Sequence, residues 1–117
     1  MTPSADIRFE TIGGVVVARL EGEIDMSNAG ELGAAITGRV TSDAVAVVLD
    51  LGAVEYLDSA AIHVVFELRE RLSRRGQELR LVVPSGSPIA TTLHYADVPR
   101  AVGAAETVTA AIADVEY

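Results

Sequence analysis

Hydrophobic and polar positions follow one another along the chain with two periods, one typical of strands and one typical of helices. Residues 6–12 alternate between apolar and polar, whereas residues 15–20 are nearly continuously apolar and rich in β-branched side chains. Gly13 and Gly14 lie between these stretches, so the pattern predicts an antiparallel hairpin at one edge of a sheet. Residues 45–49 lack polar alternation, which is typical of a central strand covered on both faces.

Several further stretches complete the predicted fold. We expect helices over residues 29–40, 60–75, 89–95 and 105–115, a fourth strand over residues 79–84, and a brief strand over residues 98–102. Pro99 would confine that last strand to the sheet periphery, because proline cannot donate to a strand ladder. The pattern predicts an α/β fold with a mixed β-sheet, an N-terminal antiparallel hairpin and about four helices.

Two of the predicted helices begin with recognisable capping patterns. Residues 21–28 are expected to form a polar loop that ends at Asn28, and Glu31 follows three positions later, as in a capping box. Ser87 precedes Pro88, which indicates a capping serine followed by proline at the first helical position.

The helix predicted over residues 60–75 has the most informative start. An apolar strand runs into a short crossing segment that ends in Asp58 and Ser59, which places Ser59 exposed at the helix N-terminus. Backbone N–H groups at such an end lack intrahelical partners, so a phosphate on Ser59 is expected to find donors there. Aspartate and serine are also preferred capping residues, so a purely structural cap remains an alternative interpretation.

The composition limits the function classes. A chain of 117 residues is expected to form one domain, residues 1–117. It contains no cysteine and no lysine, which excludes disulfides, thiolate nucleophiles and mechanisms that need a lysine ammonium. The net charge of −8 argues against nucleic acid as a partner. No apolar run is long enough to span a bilayer and no signal peptide is evident, so we expect a cytoplasmic protein without a membrane partner.

A hydrolytic site is one alternative, since Ser59, Asp58 and either His63 or His94 could nominally form a triad. The glycines of the Gly-x-Ser-x-Gly motif are absent around Ser59, and His63 has no evident carboxylate to orient it. His63 is expected to be solvated and His94 partly buried. We therefore predict no enzyme activity, no catalytic residue, no cofactor and no metal site.

A phosphoacceptor at Asp50 is a second alternative, because this carboxylate follows the central apolar strand as it does in response-regulator receivers. A receiver also requires an acidic pair after its first strand and a lysine near its last strand, and this chain has no lysine. A structural role for Asp50 is the favoured interpretation.

The order of elements and one motif resemble a known family. Two strands, a Gly-Glu-Ile-Asp loop over residues 22–25, a helix and an apolar strand precede residues 50–59, Asp-Leu-Gly-Ala-Val-Glu-Tyr-Leu-Asp-Ser, which open the next helix. This arrangement is similar to the STAS domain of anti-sigma factor antagonists over nearly the whole chain. The Asp58-Ser59 pair is its most specific part, and Ser87-Pro88 also matches.

The resemblance implies a phosphorylation switch. In this family a partner that is both anti-sigma factor and serine protein kinase phosphorylates the serine after this aspartate, which here is Ser59. The unphosphorylated form binds that partner and releases the sigma factor, and a serine phosphatase restores it. The implied partner-binding residues are Asp25, Ser27, Asp58, Ser59, Ala60, Ala61 and His63.

The chain departs from the family pattern beside the phosphoacceptor. Many members continue Asp-Ser-Ser-Gly, whereas Ala60 and Ala61 follow Ser59 here. Ser59 is then the sole hydroxyl acceptor at the site, and the missing glycine affects the helix start. Some STAS domains instead act as scaffolds or adaptors in stress-signalling or transport complexes, and this alternative role stays open.

Overall fold

The structure, a computed structural model, describes residues 5–115 of the chain. Its elements in chain order are β1 (Ala5–Ile12), β2 (Val15–Ile24), α1 (Ala29–Arg39), β3 (Ala46–Leu57), α2 (Ser59–Arg74), β4 (Glu78–Val82), α3 (Ala90–Tyr95), α4 (Val98–Val102), β5 (Ala104–Ala105) and α5 (Val108–Ala113). The strands form one sheet in the order β1-β2-β3-β4-β5.

The sheet is mixed, as predicted, because its first pair is antiparallel and the remaining pairs are parallel. Gly13 and Gly14 turn the hairpin with φ angles of 55° and 82°, values that favour glycine and suit a tight hairpin turn. The prediction of an edge hairpin followed by a central β3 is confirmed. Five helices are present in the described residues, one more than the sequence indicated.

The two faces of the sheet are covered by different helices. The larger cluster joins β2, β3 and β4 to buried residues of α1 to α4, including Ile36, Leu68 and Leu93. The smaller cluster packs α5, through Ala111, against the opposite face of β2 and β3. Since β3 is buried from both sides, its apolar run has the pattern of a covered strand. Within residues 5–115, no helix is long and apolar enough to cross a membrane.

The strands β2 and β3 are longer than predicted. The expected polar loop over residues 21–28 begins only after Ile24, and the expected crossing segment before Asp58 is strand as far as Leu57. The two strands pair along this extension through two register shifts. The extra residues of β3 at these bulges place Leu51, Val54 and Leu57 in the core although they are spaced three apart.

The C-terminal third differs from the prediction in three places. Residues 98–102 form helix α4 rather than an edge strand, because Pro99 lies in the first helical turn, where its missing N–H has no cost. Helix α3 begins at Ala90 after an Ile89 cap, so Ser87 does not cap it. The last helix begins at Val108, since the two residues of β5 pair with β4.

Candidate functional site

Helix α2 is capped by Asp58, and Ser59 is its first residue. The Oδ1 atom of Asp58 accepts hydrogen bonds from the backbone N–H groups of Ala60 at 2.9 Å and Ala61 at 3.1 Å. The cap expected as the structural alternative is therefore present, and Asp58 supplies it. Ser59 remains exposed beside it, as predicted.

This cap corrects the expectation that a phosphate on Ser59 would meet free backbone donors. The N–H groups of Ala60 and Ala61 are already bonded to the Asp58 carboxylate, and the N–H group of Ile62 donates to the Asp58 carbonyl at 3.2 Å. A phosphate at Ser59 would have to compete with a neighbouring carboxylate for the same donors. A phosphoserine at this helix end therefore meets fewer free backbone donors than the sequence predicts.

The loop between β2 and α1 is held by its own polar side chains. Asp25 Oδ1 accepts from both the backbone N–H group of Ser27, at 2.9 Å, and the Ser27 hydroxyl, at 2.5 Å. Two hydrogen bonds hold the pKa of the half-buried Asp25 carboxyl below its ordinary value, the larger effect coming from the Ser27 hydroxyl and the smaller from the Ser27 backbone N–H group. Asn28 Oδ1 accepts from the Asp25 N–H group, and Asn28 Nδ2 donates to the Glu23 carbonyl.

The capping box predicted at Asn28 is not formed. Asn28 occupies the N-cap position of α1, but its side chain makes no cap hydrogen bond to the helix backbone. The amide instead bonds to Asp25 and Glu23 on the preceding chain, which fixes the loop rather than the helix end.

Asp58 joins this loop to the start of α2. Its Oδ2 atom accepts from the backbone N–H group of Met26 at 3.1 Å, and its own N–H group donates to the Ile24 carbonyl at 3.2 Å. One carboxylate therefore bonds to α2 through Oδ1 and to the loop through Oδ2. The structure brings Asp25 and Ser27, predicted from the first loop, to the same end of the molecule as Asp58 and Ser59.

The remaining predicted site residues differ in their accessibility. Ala60 is half-buried, and His63 is exposed, with its Nε2 atom 2.5 Å from Glu67 Oε1 one turn further along α2. Ala61 is only 4% exposed and packs in the core. Its side chain is thus unavailable to a partner, because it lies on the face of α2 that packs against the sheet.

Three other polar residues were weighed as candidates from the sequence: Asp50, Ser87 and His94. Asp50 Oδ1 accepts from the Gly52 N–H group and its Oδ2 lies 3.7 Å from Arg19 Nε, which agrees with a structural role. Ser87 Oγ is buried without a hydrogen-bond partner among the described residues. His94, expected to be partly buried, is exposed.

The surface also includes a residue that the sequence analysis did not identify. Met26 is 85% exposed at the tip of the loop between β2 and α1. A lone methionine in a polar stretch carries no periodic signal. Its backbone N–H group donates to Asp58, 32 positions away, a contact that no local pattern indicates.

An open concavity of about 630 Å³ lies over the extended parts of β2 and β3, with the carboxylates of Asp6, Glu21 and Glu55 in its lining. No group of three His, Cys, Asp or Glu side chains among residues 5–115 could hold a metal ion. The chemistry that the Asp58–Ser59 end can support is modification of an exposed hydroxyl and recognition by a partner.

Comparisons with known proteins agree with this architecture. The family model described as the STAS domain matches residues 6–111. BtrV of Bordetella bronchiseptica, a candidate anti-sigma factor antagonist, is 33% identical over 75 residues. That match covers 64% of this chain and 65% of BtrV, so it spans a little less than two thirds of the relative.

Solved structures extend the likeness to nearly the whole chain. An anti-sigma factor antagonist from Mycobacterium paratuberculosis is 28% identical, with a TM-score of 0.85 over 96% of this chain and 94% of that one. The unphosphorylated form of the anti-sigma factor antagonist SpoIIAA is 18% identical, with a TM-score of 0.68 over 93% and 96%. At that identity, the likeness to SpoIIAA concerns the fold alone.

Proposed function

Because this chain belongs to the STAS domain family, we propose that it acts as an anti-sigma factor antagonist with a phosphorylation switch at Ser59. In this proposal the unphosphorylated form binds an anti-sigma factor that is also a serine protein kinase, and thereby releases a sigma factor. The same kinase inactivates the antagonist by phosphorylating Ser59, and a serine phosphatase reverses the modification.

The observation that carries the proposal is the position of Ser59. Its hydroxyl is on the first residue of a 16-residue helix, exposed, and next to a carboxylate that fixes both the helix end and the neighbouring loop. A kinase needs an accessible hydroxyl on a surface that it can bind in a defined orientation. The names of BtrV and of the M. paratuberculosis structure support the same class of function.

The charge around Ser59 indicates how phosphorylation would weaken docking. A phosphate adds about −1.5 to −2 charge, next to Asp58 and close to the loop that carries Asp25. The N–H groups of Ala60 and Ala61 are already bonded to the Asp58 carboxylate, so these two donors are not free to compensate the phosphate when a partner excludes water. Desolvating an ion that is incompletely paired costs several kcal/mol.

A kinase assay tests the modification. Purified chain is incubated with ATP and each serine kinase of the anti-sigma type from the same genome, and its intact mass is measured. We expect one kinase to add a single phosphate, which Ser59→Ala abolishes. Ser73→Ala is the matched control and should retain the phosphate, because Ser73 is an exposed serine near the other end of the same helix.

Two outcomes would contradict the phosphorylation proposal. Phosphate that persists in Ser59→Ala would place the acceptor elsewhere. A chain that no such kinase modifies would favour the scaffold role without a switch.

Calorimetry then tests the switch itself. Ser59→Asp should bind the kinase that modifies the chain about a hundred- to a thousandfold more weakly than wild type, which corresponds to about 3 to 4 kcal/mol. Ser59→Ala should bind about as well as wild type. Both variants should retain near wild-type thermal stability, because Ser59 is exposed and Asp58 supplies the cap. Equal affinity of the two variants would show that charge at Ser59 is not the switch.

A further inference from the structure

We propose that Met26 is the apolar anchor of the docking surface around Ser59, and that it inserts into an apolar pocket bordered by basic side chains on the anti-sigma factor. This inference rests on the proposed function. It adds a specific contact that neither the phosphorylation switch nor the family likeness requires.

The backbone at Met26 and on either side of it is held by hydrogen bonds. Its own N–H group donates to Asp58, and the N–H groups of Asp25 and Ser27 on either side donate to Asn28 Oδ1 and Asp25 Oδ1. The N–H groups of Asn28 and Ala29 donate to the Asp25 carbonyl at 3.1 and 2.8 Å. Since the backbone is already ordered, docking through Met26 has a small conformational cost.

Met26 is among the most exposed large apolar side chains of the described residues. It is 85% exposed, close to Tyr95 at 84% and above Tyr56 at 50% and Ile12 at 38%. Isolated exposed apolar residues are common and need no special role. Here, however, the backbone is bonded to the carboxylate that caps the helix of Ser59, so a protein that contacts Ser59 also approaches Met26.

The charges near Met26 determine the chemistry of the partner. Residues 20–38 include four acidic residues and no basic one, and residues 51–68 include three acidic residues and no lysine or arginine. The arginines of α2 begin at Arg69, away from its N-terminus. A complementary surface would therefore place arginine or lysine around the pocket that receives the methionine. Apolar anchors surrounded by polar contacts are the usual arrangement at the centre of an interface.

Photo-crosslinking in cells of the source organism tests the contact and identifies the partner in the same experiment. The probe is p-benzoylphenylalanine, placed in the full chain at position 26, 63 or 12. Ile12 is the control, because it lies before the hairpin turn at the opposite end of β2 from Met26. We expect positions 26 and 63 to crosslink to the same protein with an ATP-binding serine kinase domain, identified by mass spectrometry, and position 12 not to do so.

The outcomes separate the two proposals. A kinase adduct at position 63 without one at position 26 would overturn the anchor and leave the proposed function in place. If neither position gave an adduct with such a kinase, both proposals would fail. An equally strong adduct at position 12 would also overturn the anchor, since the contact would not be specific to this end of the molecule.

Matched substitutions then measure the contribution of the side chain. Met26→Gln keeps the length and makes the side chain polar, whereas Met26→Leu keeps it apolar, and both leave the backbone hydrogen bond to Asp58 available. We expect Gln to weaken binding to the crosslinked kinase at least about tenfold and Leu to change it less than about threefold. Equal affinity of wild type and Met26→Gln would overturn the anchor even if Ser59→Asp still weakened binding.

Discussion

At the scale of single residues, the Asp58 carboxylate joins two segments of the chain, because it bonds both to the start of α2 and to Met26, 32 positions away. Asp58→Ala removes the helix cap and the acceptor for Met26, and we expect the free energy of unfolding to fall by about 2 kcal/mol. Asp58→Asn can still cap α2 through its oxygen but presents an amide donor to the Met26 N–H group, so an intermediate loss of about 1 kcal/mol is expected.

Urea denaturation of the wild type and both Asp58 variants measures these differences. Ser59→Ala is the control, because Ser59 is adjacent and exposed and should change stability little. If Asp58→Ala and Ser59→Ala were equally stable, the carboxylate would not be holding the two segments together.

The pKa of Asp25 is also determined by one neighbour. The Ser27 hydroxyl is the main cause of its lowered value, so Ser27→Ala should raise the pKa of Asp25 toward the ordinary value of an aspartate. A lowered pKa in the folded state contributes stability above the unfolded-state pKa, and that contribution is lost as pH falls through the folded-state value. The stability difference between wild type and Ser27→Ala should therefore be present at neutral pH and shrink in acid.

An NMR titration of the Asp25 carboxyl carbon in the two proteins measures this shift directly. Thr41→Ala is a suitable control, because the Thr41 hydroxyl acts in the same way on Asp43 and not on Asp25. An unchanged Asp25 titration in Ser27→Ala would contradict the assigned cause.

At the scale of elements, the contact between α1 and α2 depends on one glycine. A Cβ atom at Gly33 would lie 2.8 Å from Val64 Cγ1, whereas a Cβ atom at Gly38 would have no atom within 4 Å. Both glycines weaken the intrinsic helix propensity of α1 by about 1 kcal/mol relative to alanine. Only Gly33 is required for the close approach of the two helices, since the stiff, branched Val64 cannot easily move aside.

Alanine substitutions at Gly33 and at Gly38 separate the effect of packing between the helices from the effect of intrinsic helix propensity. Gly38→Ala should raise the free energy of unfolding by about 0.5 to 1 kcal/mol. Gly33→Ala should lower it by about 1 to 2 kcal/mol, because the overpacking cost exceeds the gain in propensity. Chemical denaturation gives both values, and a Gly33→Ala variant as stable as Gly38→Ala would show that α1 and α2 separate without cost.

At the scale of the whole molecule, stability is centred on β2 and β3. Residues 16–18 and 47–49 are between 0 and 5% exposed, and both faces of these strands are covered by helices. β1 pairs with β2 alone and has an open edge. We expect amide protons at the centres of β2 and β3 to exchange slowest, and those of β1 to exchange through local opening at lower free energy.

Native-state hydrogen exchange followed by NMR tests this ordering residue by residue. The exchange rates of the amides in β1 are compared with those of the amides in β2, because the two strands are paired in one ladder. Equal protection of β1 and the centre of β3 would mean that the sheet opens only as a unit.

The sequence alone determined the features that depend on residues close to one another along the chain. The glycine pair at the hairpin turn, the continuous apolar run of β3 and the helical spacing of Ala61, Val65, Leu68 and Leu72 are local patterns, and each forms the predicted structure. The exposed position of Ser59 was also predictable, because a helix start and its outward row are set by sequence spacing.

Tertiary structure decided the features that depend on distant partners. The run Val98–Val102 fits either a strand or a first helical turn, and packing of Val98 and Val102 in the core selects the helix. The three-residue spacing of the buried Leu51, Val54 and Leu57 fits neither the period of a strand nor that of a helix. It arises because two register shifts against β2 determine which residues of β3 point inward. The bond from Met26 to Asp58 links residues with no local relation, so only the folded chain reveals that the first loop and the helix of Ser59 form one surface.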